Sequence, residues 1–320
     1  MPGILRKLDR FTTGIILAVL LGLLLPCTGT AAQAFGWLTT AAITLLFFLY
    51  GVKLSRKSVL EGLLHWRLQA LVVFSTFILF PLLIPLLRPV LEPLVGAALF
   101  GGLLYVACLP STVQSSIAFT SVAKGNVPAA VCSASVSSLL GVVLTPFLAG
   151  LLFSTAATAG AEIGLETVSN ICIQILLPFI AGQLAQPWLR PWVHKHAPLI
   201  KLNDQLTIWL VVYTAFSNAT ANQYWGQLGI SRLLGLIAAC TIVLLLVQGI
   251  IHLLCRLFRF NRQDSIAILF CGSKKSLAVG APMMMAIFGT FDNNLLLPLM
   301  VFHQVQLMLC SWLANRWGKS

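Results

Sequence analysis

The chain has 320 residues, of which 58% are hydrophobic and only 9% charged, with a mean hydropathy of +0.94 and a formal net charge of +12 at pH 7. Soluble domains run at about 45–50% apolar and about 25% charged residues, so this composition excludes an ordinary soluble enzyme or binding module and predicts a polytopic membrane protein. The eight cysteines sit within or at the ends of apolar segments, with no CxxC pair and no His/Cys cluster at ligand spacing, so neither a disulfide framework nor a zinc site is expected.

Apolar runs long enough to cross a bilayer, about 20 residues, fall at 12–28, 36–53, 68–87, 95–123, 127–153, 168–187, 204–220, 232–255, 263–289 and 294–315. They predict an all-α membrane protein of ten transmembrane helices. With the N-terminus inside, sixteen lysines and arginines between Arg6 and Lys319 lie on the inner side, and only Arg88 and Arg232 on the outer. This asymmetry predicts cytoplasmic termini and a multi-pass protein of a bacterial cytoplasmic membrane. The basic excess is then topological, and no nucleic-acid partner is expected. The first span, preceded by Arg6, Lys7 and Arg10 and followed by "TGTAAQAF", also fits a cleavable signal peptide. Removing it would leave nine spans and break the pairing that follows.

Ten spans divide into halves of five, an odd number, so the halves sit in opposite orientation as an inverted repeat: residues 1–158 and 159–320, parted in the segment 154–169 that holds Glu162 and Glu166. The fourth span of each half has the same plan. "LYVACLPSTVQSSIAFTSVAKGN" and "ILFCGSKKSLAVGAPMMMAIFG" each run apolar to a cysteine, meet Pro110 or Gly272, pass through a polar run and become apolar again. Proline lacks an amide hydrogen and disfavours helix at the preceding residue, and glycine weakens a helix by about 1 kcal/mol. Both spans are therefore predicted to unwind partway across, a pattern that points to a transporter's central site. A simple proline kink is the plain reading of the first break. Against it stands the density of Ser111, Thr112, Gln114, Ser115 and Ser116.

Lys274 and Lys275 lie about 16–18 Å into the ninth span, at about 1.5 Å per residue, too deep to snorkel to the near interface. A charge at the centre of a lipid-facing helix costs about 2.5–3.5 kcal/mol on insertion scales. No Asp or Glu lies at that depth in any span; Asp264, ten residues earlier, is near the end. The ammonium groups are left to be compensated by a ligand anion, by the oxygens of "STVQSS", or by loss of a proton, and a purely structural charge is the plain alternative. Ser273 and Ser276 flank them. In the tenth span His303, with Gln304 and Gln306, is a candidate proton relay or substrate contact, or an interhelical hydrogen bond. Gln174, Gln248 and His252 read as packing residues with a functional alternative. The fifth span's Ser133, Ser135, Ser137, Ser138 and Gly141 permit close helix approach, with a ligand-facing serine as the alternative, and Met283, Met284 and Met285 read as adaptable packing.

On "AKGNVPAAV" between spans four and five and "KKSLAVGAPM" in span nine, the chain resembles the bile acid:sodium symporter family, in its SBF-like branch, over nearly its whole length. The resemblance implies a panel of spans 1, 2, 6 and 7, a core of spans 3–5 and 8–10, and broken helices four and nine crossing at the site. In sodium-coupled members an Asn after a Ser in helix four and a Glu in helix nine help to hold two sodium ions. Here Ser115 and Ser116 occupy the first stretch without the Asn, and Lys274 and Lys275 stand where the Glu is expected. An ammonium repels a hard cation, so a lysine is expected to play the bound cation's part, with sodium left open. Gln114, Ser115, Ser116, Ser138, Lys274 and Lys275 are the cation-site candidates. Lys274, Lys275, Ser273, Ser276, Pro110, Ser111, Thr112, His303 and Gln304 are the substrate-site candidates.

These readings lead to a secondary transporter of a small organic anion working by alternating access, cation- or proton-coupled, with the bilayer as its other partner. A regulatory or ion-homeostasis protein of the same family without transport is the alternative. No nucleophile with its base, paired carboxylates or metal cluster lies at membrane depth, so an enzyme is not expected, and no GxxxxGK[ST] loop is present for ATP drive. No cofactor is expected beyond the open question of sodium.

Overall fold

The computed structural model describes residues 10–53, 65–155, 175–288 and 292–319. These form helices, with no strand among the described residues. In chain order they are α1 (Arg10–Leu24), α2 (Gly29–Lys53), α3 (Trp66–Phe74), a π turn (Ser75–Leu79), α4 (Phe80–Leu86), α5 (Arg88–Val95), α6 (Ala97–Cys108), α7 (Val113–Val122), α8 (Val127–Thr155), α9 (Leu177–Lys195), α10 (Ala197–Ala221), α11 (Tyr224–Gln227), α12 (Ile230–Leu257), α13 (Arg262–Gly272), α14 (Leu277–Phe288) and α15 (Asn293–Lys319). In hydrocarbon every backbone group must be paired within the segment, so long apolar runs have little choice but helix.

Six stretches among the described residues are long and apolar enough to cross a membrane: Gly29–Lys53, Trp66–Leu86, Val127–Phe153, Ile230–Leu257, Arg262–Phe288 and Asn293–Lys319. A seventh forms if α6 and α7, bent by 70°, count as one. The first predicted span is here a shorter apolar helix, Thr13–Leu24, and α9 and α10 are helices at the sixth and seventh predicted positions. Residues 156–169 of the predicted divide, and Arg6, Lys7, Arg56, Lys57 and Gln174, lie outside the described residues.

The chain forms two compact units, each drawing on both halves of the sequence. One contains Met1–Lys53, Ile173–Gly229 and Ala281–Leu296; the other contains Leu54–Cys172, Ile230–Gly280 and Leu297–Ser320. In the first, α2 and α9 touch backbone to backbone. A Cβ on Gly51 would clash with the Phe179 carbonyl oxygen, and one on Gly182 would clash with that of Phe48. Gln183 Nε2 donates to the Gly51 carbonyl at the same crossing, and Lys53 Nζ pairs with Asp204 of α10 at 2.6 Å.

In the second unit the "AKGN" turn ties two helix starts together. Lys124 adopts a left-handed backbone with φ of 59°, and Gly125 leaves room for Ile266, whose Cγ2 would lie 2.5 Å from an added Cβ. Asn126 then accepts from the Ala129 amide at the start of α8 and donates to Asp264 Oδ1 at 2.7 Å. Asp264, the nearest acid in sequence to the lysines, is further held by Asn261, whose side chain caps α13 by accepting from the Asp264 amide. Such a cap contributes about 1 kcal/mol.

Because Gly182 sits where no side chain fits, Gly182→Leu is expected to lower the melting temperature of the detergent-purified protein by several degrees, from an overpacking cost of about 1–3 kcal/mol. Fluorescence-detected thermal melts against the parent check this; an unchanged melt would remove the α2–α9 crossing as a structural constraint.

Candidate functional site

Inside the second unit the predicted breaks are real interruptions. The α6 helix ends at Cys108, Leu109 takes an extended backbone with φ of −79° and ψ of 150°, and α7 resumes at Val113. Likewise α13 ends at Gly272, residues 273–276 are not helical, and α14 begins at Leu277. Pro110 removes one donor from the first break, and Gly141 of α8 packs on its ring, since a Cβ there would lie 2.6 Å from Pro110 Cβ and Cγ. Gly272 packs against the π turn, with an added Cβ 3.0 Å from that of Ser75.

Breaking a helix at this depth frees carbonyl oxygens that must find other donors. All four carbonyls from 107 to 110 do so. Thr145 Oγ1 donates to the Cys108 oxygen at 2.8 Å, and the Ser276 amide donates to that of Pro110 at 2.9 Å. Those of Ala107 and Leu109 each accept from Lys275 Nζ at 2.8 Å.

The third proton of the Lys275 ammonium goes to the Thr76 carbonyl, also at 2.8 Å. That carbonyl is free for a covalent reason. In the π turn the Phe80 amide donates to Ser75, so the next donor in line for Thr76 would be residue 81, which is proline and has no amide hydrogen. An ammonium has three donors and no more, and Lys275 spends all three on main-chain oxygens of the π turn and of the break after α6. Its Nζ also lies 4.1 Å from the centre of the Phe80 ring, a cation–π contact. Gln306 fixes the Lys275 backbone from α15, accepting from its amide at 2.8 Å and donating to its carbonyl at 2.7 Å. The same Gln306 amide nitrogen is 3.0 Å from His303 Nδ1.

Lys274 is equally buried, at 0% exposure, yet its ammonium has a different environment. It donates to Ser115 Oγ at 3.2 Å and lies 4.3 Å from the Phe119 ring centre and 5.7 Å from that of Phe270. Of its three donors one is used in these contacts, and the other partners are ring faces.

The remaining candidates fall around these two nitrogens in different roles. Ser111 donates its amide to Ser137 Oγ at 3.0 Å, Ser116 Oγ donates to the Phe270 carbonyl at 3.0 Å, and Thr112 Oγ1 accepts from Ser115 Oγ. Ser273 Oγ bonds back to the Leu269 carbonyl at 2.6 Å, and Ser276 Oγ accepts from the Val279 amide; both serve helix ends. Ser138 Oγ is buried without a hydrogen-bond partner among the described residues, as is Ser133 Oγ. Gln114 is exposed, and Gln304 takes no part in the contacts around either lysine, where Gln306 does. Thr76 and Pro81, which complete the cage around Lys275, have no warning in the sequence beyond the proline itself.

A model of the SBF-like CPA transporter family matches residues 9–319. A Pseudomonas aeruginosa protein of uncharacterised function is 49% identical over 312 residues, covering 97% of this chain and 93% of the relative. "Putative symporter YfeH" of Escherichia coli is 47% identical over 315 residues, covering 98% and 94%. Sodium/bile acid cotransporter 7 of Danio rerio is 28% identical over 318 residues, covering 97% and 94%.

The two lysines should part company in stability. Lys275→Met leaves three buried carbonyls unpaired at about 1–3 kcal/mol each, and is expected to lower the melting temperature by roughly 6–12 °C or more. Lys274→Met removes a charge from aromatic and hydroxyl surroundings and is expected to leave the melt within about 3 °C of the parent or above it. Equal shifts would contradict the assignment of Lys275 as the structural member.

Proposed function

The chain belongs to the SBF-like CPA transporter family, and from that premise we propose that it is a secondary transporter of a small organic anion, with Lys275 as a tethered cation and Lys274 as the anion's partner. Relatives described as symporters and bile acid cotransporters support a transporter in general. In the proposed architecture ten spans form two inverted repeats, residues 1–158 and 159–320, in a cytoplasmic membrane with both termini inside. A panel of spans 1, 2, 6 and 7 and a core of spans 3–5 and 8–10 move against each other for alternating access. The division of the chain agrees with that partition for spans 1–8, since one unit draws on 1–53 and 173–229 and the other on 54–172 and 230–280, whereas residues 281–296 of spans nine and ten group with the first unit.

The observation that carries the reading is the unequal use of two adjacent buried ammonium groups. Lys275 is saturated by main-chain oxygens, whereas Lys274 retains donors beside the hydroxyls of Ser115 and Thr112. A carboxylate or sulfonate reaching Lys274 would convert a poorly compensated charge into a charge-assisted pair, the stronger class of hydrogen bond. Ser111, Ser116, His303, Ser138 and the half-helix end at Val113 are the further groups that would orient it.

The residues do not fit a sodium ion at the break. Sodium requires an oxygen shell, and the oxygens of Thr76, Ala107 and Leu109 are already engaged by Lys275 Nζ. No step of the proposed cycle passes through a bound metal ion. The cation's role of pairing the freed carbonyls falls to the lysine, and a proton on Lys274 is the candidate coupling ion.

Reconstituted protein is expected to take up a bile-acid conjugate or another carboxylate saturably without sodium. Because the protonated Lys274 holds the anion, uptake falls as the pH rises through that lysine's titration, is lost at least tenfold in Lys274→Met, and keeps its pH profile in Lys274→Arg only below that range. Unaltered uptake by Lys274→Met removes the lysine's role; strict sodium dependence removes the tethered-cation reading; absence of uptake for every anion tried, with protein folded, favours a regulatory role.

A second measurement isolates Lys275. The parent is expected to show no sodium-specific rise in melting temperature over potassium and choline at constant ionic strength, whereas Lys275→Ala, with its carbonyl cage emptied, is expected to gain one. A sodium-specific rise in the parent would mean that an ion site exists beside the lysines.

A further inference from the structure

Away from the broken helices, a groove of about 340 Å³ runs between α3 and the end of α12 in the second unit. Trp66, Phe74, Leu254, Phe258 and Phe260 form its walls, and Arg67 is the one charged residue lining it among the described residues. From Trp66 to Phe74 the helix rises about 12 Å, and tryptophan favours the membrane interface. The groove therefore leads from the polar end of a span down into its apolar length.

Two observations set this surface apart from scattered exposed side chains. The α12 helix ends in a left-handed turn: Arg259 has φ of 56°, its amide donates to the Arg256 carbonyl, and the Phe260 amide donates back to that of Cys255 at 3.0 Å. L-residues other than glycine rarely adopt this conformation, and the turn folds Phe260 back onto the groove. Arg67 is then pinned there, with Nη2 donating to the Phe258 carbonyl at 3.1 Å and the guanidinium 5.5 Å from the Phe260 ring centre. Its Nε and Nη1 donors are left over from these contacts, and a guanidinium fork matches a phosphate. Arg256 and Arg259 are exposed on the same turn, while Trp66 and Phe258 remain 66% and 47% exposed.

We propose that this groove binds one anionic phospholipid, its acyl chain against Trp66, Phe74 and Leu254 and its phosphate on Arg67. Charge complementarity selects this occupant. A purely apolar groove would take any lipid tail, but an arginine held at its edge by a backbone carbonyl and an aromatic face, with two more arginines on the adjoining turn, favours a net negative headgroup. Basic pockets between membrane helices commonly recognise such lipids.

The test uses the delipidated full-length protein in detergent, with phosphatidylglycerol, phosphatidylcholine or glycerol 3-phosphate alone. Phosphatidylglycerol is expected to raise the melting temperature by about 5 °C, with phosphatidylcholine giving less than half of this and glycerol 3-phosphate none. Native mass spectrometry is expected to show one retained phosphatidylglycerol on the parent, retention reduced at least fivefold on Arg67→Gln, and intermediate retention on Arg67→Lys and Phe260→Ala. An equal rise with phosphatidylcholine makes the groove an unselective lipid surface and overturns the proposal. So does a rise with glycerol 3-phosphate alone, or undiminished retention by Arg67→Gln. If Arg67→Gln is not recovered folded, the Arg67→Lys and Phe260→Ala retentions decide, and parent-level values in both overturn it.

Discussion

The arrangement of the second unit depends on one constraint: a helix interrupted at membrane depth leaves carbonyl oxygens that hydrocarbon cannot satisfy. Lys275 answers it for three of them at once, two from the break after α6 and one from the π turn after α3. The ammonium and the breaks therefore stabilise each other. Without the freed carbonyls the lysine would be an uncompensated charge, and without the lysine the breaks would cost about 1–3 kcal/mol per unpaired oxygen. The surrounding contacts hold that mutual dependence in register. Gln306 grips both backbone groups of Lys275, and Tyr105 Oη donates to the Gly280 carbonyl at 2.6 Å. Ser276 donates its amide to the Pro110 carbonyl, so the two interruptions pair with each other.

The legible part of this site was the part written in local covalent chemistry. Pro110 and Gly272 act on their own backbone, so the ends of α6 and α13 could be placed from sequence to within two residues. The lysines stood out because a charge in an apolar run has no local justification. Thr76 was not legible, because its carbonyl is freed only by a π turn coinciding with Pro81, and a single π turn leaves no mark on hydrophobic periodicity. Gln304 and Gln306 could not be ranked for a related reason. Two residues apart on a helix face about 200° apart, and which face meets Lys275 is set by packing. Gln114 and Ser116 differ in the same way on α7: one is exposed and the other bonds to the Phe270 carbonyl. The fold was legible as all-helical and membrane-spanning, whereas the count of spans was less so, because α9 and α10 carry lysines, histidines and prolines that dilute the apolar signal on which counting rests.

The interruption also explains how neighbours in sequence acquire separate environments. Had residues 273–276 stayed helical, Lys274 and Lys275 would have stood about 100° apart on one cylinder, both near 16–18 Å deep, and sharing a surface. Unwound, the segment sends Lys275 toward the carbonyls of Thr76, Ala107 and Leu109 and Lys274 toward Ser115, Phe119 and Phe270. Like charges so close in sequence are tolerable when one is neutralised by three carbonyl dipoles and the other lies over ring faces.

A tethered ammonium and a diffusible cation can pair the same carbonyls, but they differ in what a conformational change can do with them. A bound ion leaves when its site opens, so its binding energy can be exchanged between the two sides of the membrane, which is the basis of coupling. A lysine is covalently fixed and cannot leave, so it carries no charge from one side of the membrane to the other as a bound ion would. On the proposed reading, Lys275 preserves the broken-helix geometry that an ion would otherwise maintain while removing that ion from the transport stoichiometry. Any coupling must then pass through a group whose charge can change during the cycle. Within the described site the incompletely bonded Lys274 meets that requirement, with His303 beside the Gln306 that holds Lys275 as a second titratable neighbour.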